Sequence, residues 1–187
     1  MFRRTLLLAL FQVGSGTAAG LGSDGAEVPS QAPPELHRAI QVLSGSWTVN
    51  EKYPPSALYP SGGVGHGTEV WRAGPGDLTL VYEYHSTNPA GEMWATAVLW
   101  WDSEAKKLRE LWCTSRSRKG CVVSTADIRW EGEELVFSDS FEMKGTRFFS
   151  REVWSELKPD THTMTISGST TNGNFKPWII SRATRVK

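Results

Sequence analysis

The stretch Leu43-Ser44-Gly45-Ser46-Trp47-Thr48-Val49 decides how this chain is read, because the hydrophobic period changes there from helical to extended. On its N-terminal side, Pro33-Pro34-Glu35 suits a first helical turn, and Leu36, Ile40 and Leu43 fall on one face. Gly45 follows the last apolar residue, where glycine commonly ends a helix. One short helix is expected over residues 34–43, with His37 on its solvated side. From Trp47 onward the period is two.

Strands are expected near 46–53, 65–73, 78–87, 92–101, 107–115, 121–130, 134–141, 147–157, 162–170 and 177–186. About ten short strands at even spacing leave little room for crossover helices and read as an antiparallel meander. Asn88-Pro89-Ala90-Gly91, Glu131-Gly132-Glu133, Lys144-Gly145 and Pro159-Asp160 punctuate them, and Asn172-Gly173 is the strongest hairpin signal. Pro54-Pro55 and Pro60-Ser61-Gly62-Gly63 mark a longer loop, where the lid of a barrel would sit. Closure removes exposed edges. The expected fold is therefore all-β: a closed antiparallel up-and-down barrel of about ten strands, plugged at one end by the N-terminal helix. Met93 to Trp101 is apolar on both faces, so it needs the interior on one side and the helix or a partner subunit on the other.

The 187 residues suit one domain, and 20 basic against 20 acidic side chains provide no global field toward nucleic acid. Nine Trp are an unusual share and favour half-buried pleated surface. Arg3 and Arg4, the apolar run Leu6 to Phe11, and the small residues through Thr17 and Ala19 follow the order of a secretory signal over residues 1–19. A Gly-, Ser- and Pro-rich leader occupies 20–33, and the barrel domain 34–187. The apolar run is too short to span a bilayer, so no stable membrane insertion is expected. The expected location is exported, either periplasmic or secreted. Cys113 and Cys121 flank an expected hairpin tip, so they form either a cross-hairpin disulfide or two buried thiols.

Four segments carry a family resemblance: Leu43 to Trp47; Gly67-Thr68-Glu69-Val70-Trp71-Arg72; Leu99 to Asp102 with Leu108 to Trp112; and Pro159-Asp160 through Gly173 to Arg182-Ala183-Thr184-Arg185. In their order and spacing the chain resembles the uncharacterised DUF1579 family of calycin-like barrels, distant relatives of lipocalins, fatty-acid-binding proteins and nitrobindin. The resemblance implies a lipocalin-like barrel with a central cavity and supplies no agreed activity. It also implies that Trp47 stacks under Arg182 or Arg185 of the last strand and closes the floor, a contact worth roughly 0.5–2 kcal/mol. Nitrobindin-like barrels ligate haem through a His near the last strand. Phe175 to Ile179 offers none, which leaves only His85 or His162 as substitutes, and no cofactor is expected.

Aromatic residues on the inner strands are candidates for the wall of a ligand pocket: Trp71, Tyr82, Tyr84, Trp94 and Trp112, with Trp100, Phe137 and Trp154 beside them. Glu69, Arg109, Arg151 and Ser138 are the candidate polar groups, with Glu69 or Arg109 orienting the polar end of a largely apolar or aromatic ligand. In the competing reading, burial raises the pKa of Glu69 and makes it a general acid or base in an isomerase or hydrolase. Pairing of Glu69 with Arg72 or Arg109 would instead make it structural. A third reading is a homodimeric interaction protein that buries the 92–101 strand. His66, His85 and His162 lie on separate strands without a ligand spacing, so no metal is expected. No Gly-x-Ser-x-Gly elbow or phosphate-cradling Gly loop occurs. The basic tip Arg116-Ser117-Arg118-Lys119 reads as solvated, with no nucleic-acid partner.

Overall fold

A computed structural model describes residues 32–56, 58–143 and 145–187. The expected secretory signal and nearly all of the leader lie outside the described residues. Helix α1 (Pro34–Leu43) carries Pro at its start and Glu35 in its first turn, and buries Leu36, Ala39 and Leu43. It covers one end of the barrel, against β2 (Gly63–Ala73), β3 (Thr79–Asn88) and β4 (Gly91–Asp102). Trp130 fastens its N-terminal end: the indole N–H donates to Glu35 O at 3.0 Å, and Arg38 lies over the ring at 3.9 Å.

Gly45 does not end the helix as a left-handed cap. Ser44 leaves the helix with extended ψ, and Gly45 already belongs to β1 (Gly45–Tyr53). Its φ is +142°, and a Cβ there would stand 2.0 Å from Arg185 Nη1. The positive φ calls for glycine, and the last strand's arginine crosses directly over it.

The remaining strands are β5 (Lys107–Thr114), β6 (Cys121–Val123), β7 (Asp127–Glu131), β8 (Glu134–Met143), β9 (Thr146–Ser155), β10 (Thr161–Ser169) and β11 (Lys176–Arg185). Each pairs antiparallel with its neighbours, and β11 returns to β1 with Trp47 opposite Arg185. The circuit is a closed up-and-down barrel of ten strand positions, one of them shared by β6 and β7 in succession along β5. The strand expected over 121–130 is thus broken at Ser124-Thr125-Ala126. There the Ser124 hydroxyl accepts the Ala126 N–H at 3.2 Å, and Thr125 donates to Asp139 at 3.0 Å. These local side-chain bonds replace ladder bonds and bend the chain.

Asn88 to Gly91 and Glu131 to Glu134 close as two-residue hairpins. Asn172-Gly173 does not: β10 and β11 are joined by a longer loop whose left-handed residue is Asn174, at φ +52°. The Ser169 hydroxyl accepts the Thr171 N–H at 3.1 Å and donates to Thr171 O at 3.0 Å, supplying turn contacts that a tight hairpin would take from the backbone. Cys113 and Cys121 are cross-strand partners on β5 and β6 and form a disulfide.

Alternation along β1 places Trp47, Val49, Glu51 and Tyr53 inside, from the floor toward the opposite end. Trp47 is wholly buried. Its indole N–H donates to Leu43 O at 3.0 Å, and the Arg185 guanidinium lies 4.0 Å over its ring. Arg185 also donates to Ser44 O and Pro159 O. Arg182, the other candidate, is out of phase with it and lies on the outer surface beside Arg38 and Glu156. The helix covers the end of the barrel, not the outer face of β4, whose Trp94 remains 57% exposed.

Candidate functional site

A cavity of about 390 Å³ occupies the barrel interior above the floor. Its wall is aromatic: Trp71, Tyr82, Tyr84 and Trp112 among the sequence candidates, with Phe137 and Trp154 beside them. Tyr82 stacks between Tyr84 and Trp112 at centroid distances of 5.9 and 6.3 Å, and Trp71 meets Trp154 edge-on at 5.1 Å. Tyr59, from the proline-containing loop after β1, completes the mouth. It packs edge-on against Tyr53 at 4.6 Å, so this loop does sit at the lid position.

Six expected pocket residues are elsewhere, among them Trp100, which shares the outer face of β4 with Trp94. Trp94 is on the outside, where it stacks on His85 at 3.7 Å and lines a groove on the outer surface. Arg109 points outward and pairs with Asp102 at 3.2 Å. Arg151 points outward and pairs with Glu131 at 2.5 Å. Glu69 is inside but does not line the cavity. Strand alternation explains the two arginines. Each precedes an inward-facing tryptophan, Trp112 or Trp154, by an odd number of residues and so takes the opposite face. Ser138, one residue after the inward-facing Phe137, lies in an outer groove for the same reason.

Glu69 faces His162, with Oε1 and Nε2 2.6 Å apart and both side chains deeply buried. The pair is close but poorly aligned, so neither atom gains a well-directed hydrogen bond. The His162 ring packs against Trp47 at 4.5 Å and Trp154 at 5.3 Å, which places the pair at the floor. Arg72, expected as a possible partner of Glu69, instead bonds Glu83 on the outer face at 2.5 Å.

The polar groups that do face the cavity are Glu51, Glu110, Asp139 and Glu152, with Asn88, Ser124 and Thr125. Glu51 accepts hydrogen bonds from the Tyr53 hydroxyl at 2.7 Å and from the Tyr84 hydroxyl. Burial, reinforced by this carboxylate, raises both phenols above their ordinary pKa. A Cβ at Gly65 would stand 2.6 Å from Glu51 Oε2, so only glycine on β2 leaves room for this carboxylate. Burial pushes Glu152 up to about 7 against the hydrogen bond it accepts from Trp154 Nε1 at 2.6 Å, and the charge of Glu69 adds to the rise. Burial also pushes Glu110 up to about 8, assisted by Glu152 and opposed by Ser124.

Glu51, Glu110 and Glu152 were not among the sequence candidates, yet a signal for them exists. Glu110 lies two residues before Trp112, Glu152 two before Trp154, and Glu51 four after Trp47. Period two puts each on the same face as an aromatic already assigned to the interior.

No known protein-family model matches the chain, and no curated protein sequence is similar to it. Among solved structures, Rv2717c from M. tuberculosis is similar with a TM-score of 0.53 at 12% identity, over 84% of this chain and 100% of that one. The S-type phycobiliprotein lyase CPES from Guillardia theta gives 0.46 at 8% identity, over 82% and 93%. A de novo designed fluorescence-activating β-barrel gives 0.42 at 11% identity, over 80% and 98%. The likeness to Rv2717c is one of fold.

Proposed function

We propose that this chain is an exported small-molecule-binding barrel whose largely apolar or aromatic ligand sits in the interior cavity. One observation carries the reading: a cavity of about 390 Å³, within the usual range for small-molecule sites, has an aromatic wall and a few converging polar groups. Trp47, Arg185 and α1 seal the floor, so a ligand would enter past Tyr59. Binding would draw on apolar burial at roughly 25 cal/mol per Å². The cross-strand disulfide supports an oxidising compartment and hence the export reading. The likeness to DUF1579 belongs to the same proposal and agrees with a barrel that encloses a central cavity.

Acid–base chemistry on Glu69 has less support, because that carboxylate faces His162 at the floor and not the cavity. The binding reading is tested by native mass spectrometry of protein purified from the host's own envelope. A co-purifying small molecule that departs on mild denaturation is expected, and a barrel that is always empty and binds nothing in a ligand screen would overturn the reading. N-terminal sequencing of the same material tests export, with cleavage after Ala19 expected.

A further inference from the structure

The charged side chains that line the cavity are all of one sign. Among the described residues its wall holds Glu51, Glu110, Asp139 and Glu152 and no Lys, Arg or His. The chain as a whole is charge-balanced, so this segregation is not a matter of composition. Of the basic residues near the site, two face away from it and the third stands at its mouth. Arg109 and Arg151 face outward onto Asp102 and Glu131, and Arg116, at the rim, donates to Asn88 Oδ1 and Gly91 O at 3.0 and 2.7 Å.

The acids are set among aromatic faces. Glu152 lies two residues from Trp154 and Glu110 two from Trp112 on the same inner face, while Glu51 is held by two tyrosine hydroxyls. Glu152 is enclosed by the barrel, its Oε1 accepts from Trp154, and its other oxygen has no hydrogen-bond partner among the described residues. An aromatic wall attracts a cation through the ring quadrupole, and the attraction grows where water is excluded. A buried carboxylate without a counter-charge is costly, and a cation supplied by a ligand removes that cost. An anionic ligand would meet the opposite: four acids and no base.

We propose that the ligand of this cavity is an organic cation, a protonated or quaternary amine carried on an apolar or aromatic body. The inference rests on the reading of the interior as a binding cavity and adds the charge class of its occupant. The ammonium lies between Glu110 and Glu152, and the apolar body lies along Tyr82, Trp112 and Trp71. In the empty barrel burial favours the protonated forms of Glu110 and Glu152. A bound cation favours their ionised forms, so binding releases protons and tightens as pH rises through about 7–8. The other groups bearing on these two carboxyls are Glu51, Glu69 and Asp139, the hydroxyls of Tyr82 and Ser124, and the Trp154 indole. None of them supplies a positive charge. His162, on the far side of Glu69, packs at the floor.

The test uses three probes of similar shape on the full mature chain: α-naphthylmethylammonium, α-naphthylmethanol and α-naphthoate, with affinity read by isothermal titration calorimetry. The expected result is that the ammonium binds at least about tenfold more tightly than the alcohol, and the carboxylate more weakly than either. Titration in buffers of different ionisation enthalpy is expected to show proton release for the ammonium and none for the alcohol. In Glu110→Gln and Glu152→Gln, the ratio of ammonium to alcohol affinity falls from about tenfold toward one. An alcohol that binds as tightly as the ammonium overturns the charge class and leaves the binding cavity standing. Failure of all three probes to bind overturns this inference and counts against the cavity as a binding site.

Discussion

The guanidinium of Arg185 lies 4.0 Å over the ring of Trp47, and through Ser44 O and Pro159 O it also ties two loops to the barrel floor. Trp47 is completely buried. Trp47→Ala should therefore cost about 3–5 kcal/mol in urea unfolding, as removal of a buried aromatic generally does. Arg185→Lys, which keeps the charge but loses the planar contacts, should cost about 1–2 kcal/mol. Cavity ligands should bind both variants unchanged wherever they remain folded. A loss of affinity in folded Arg185→Lys would contradict a purely structural floor.

The buried carboxyls set the pH dependence of the unliganded barrel. Unfolded, Glu110 and Glu152 titrate near 4.5; folded, near 8 and 7. Between those values the native state holds protons that the unfolded state has released. Their contribution to stability is therefore fully present below about 4.5 and is lost as pH rises through about 7–8. The loss should be on the order of a few kcal/mol. Urea unfolding across this range should show the decline, and Glu110→Gln should flatten its upper part. An unliganded barrel that grows more stable over the same range would refute the assignment.

Trp112 and Trp94 should separate binding from surface packing. Trp112 lines the cavity, whereas Trp94 is outside on His85. Trp112→Ala should weaken binding of α-naphthylmethylammonium by about tenfold or more, equivalent to about 1.4 kcal/mol. Trp94→Ala should leave that affinity unchanged and shift stability by no more than about 1 kcal/mol. Fluorescence titration and thermal melts of the two variants give both readings.

The disulfide closes a short loop, with its cysteines 8 positions apart. Chain-entropy arguments give about 2–3 kcal/mol for a loop of this size. Reduction, or the paired Cys113→Ala and Cys121→Ala substitutions, should lower the melting temperature by roughly 5–10 °C. An unchanged melting temperature would show that β6 is held by its backbone pairing alone.

Much of this molecule is legible in order along the chain. The helix at 34–43 follows from the spacing of Leu36, Ile40 and Leu43, and the strands follow from period-two alternation. The break at Ser124 to Ala126 escaped because hydroxyl-to-backbone bonding leaves no mark on hydrophobic periodicity. Asn172-Gly173 misled because its flanking strands do not run up to the turn in register, so Asn174 takes the left-handed conformation instead. For the site, parity was the usable signal. Trp112 inside requires Glu110 inside and Arg109 outside, and Trp154 inside requires Glu152 inside and Arg151 outside.

The sequence by itself determined where most of the strands lie and which residues share a face within each, because side chains alternate along an extended backbone. It did not determine which face is the inner one for β4, where both are apolar, nor which residues of different strands stand at the same height. Those depend on the stagger and closure of ten paired strands. Closure chose Arg185 over Arg182 for Trp47 and set Glu69 against His162. It also brought the acids of β1, β5, β8 and β9 to a single aromatic cavity. Such convergence has no local signature, because the groups that meet there are separated by most of the chain.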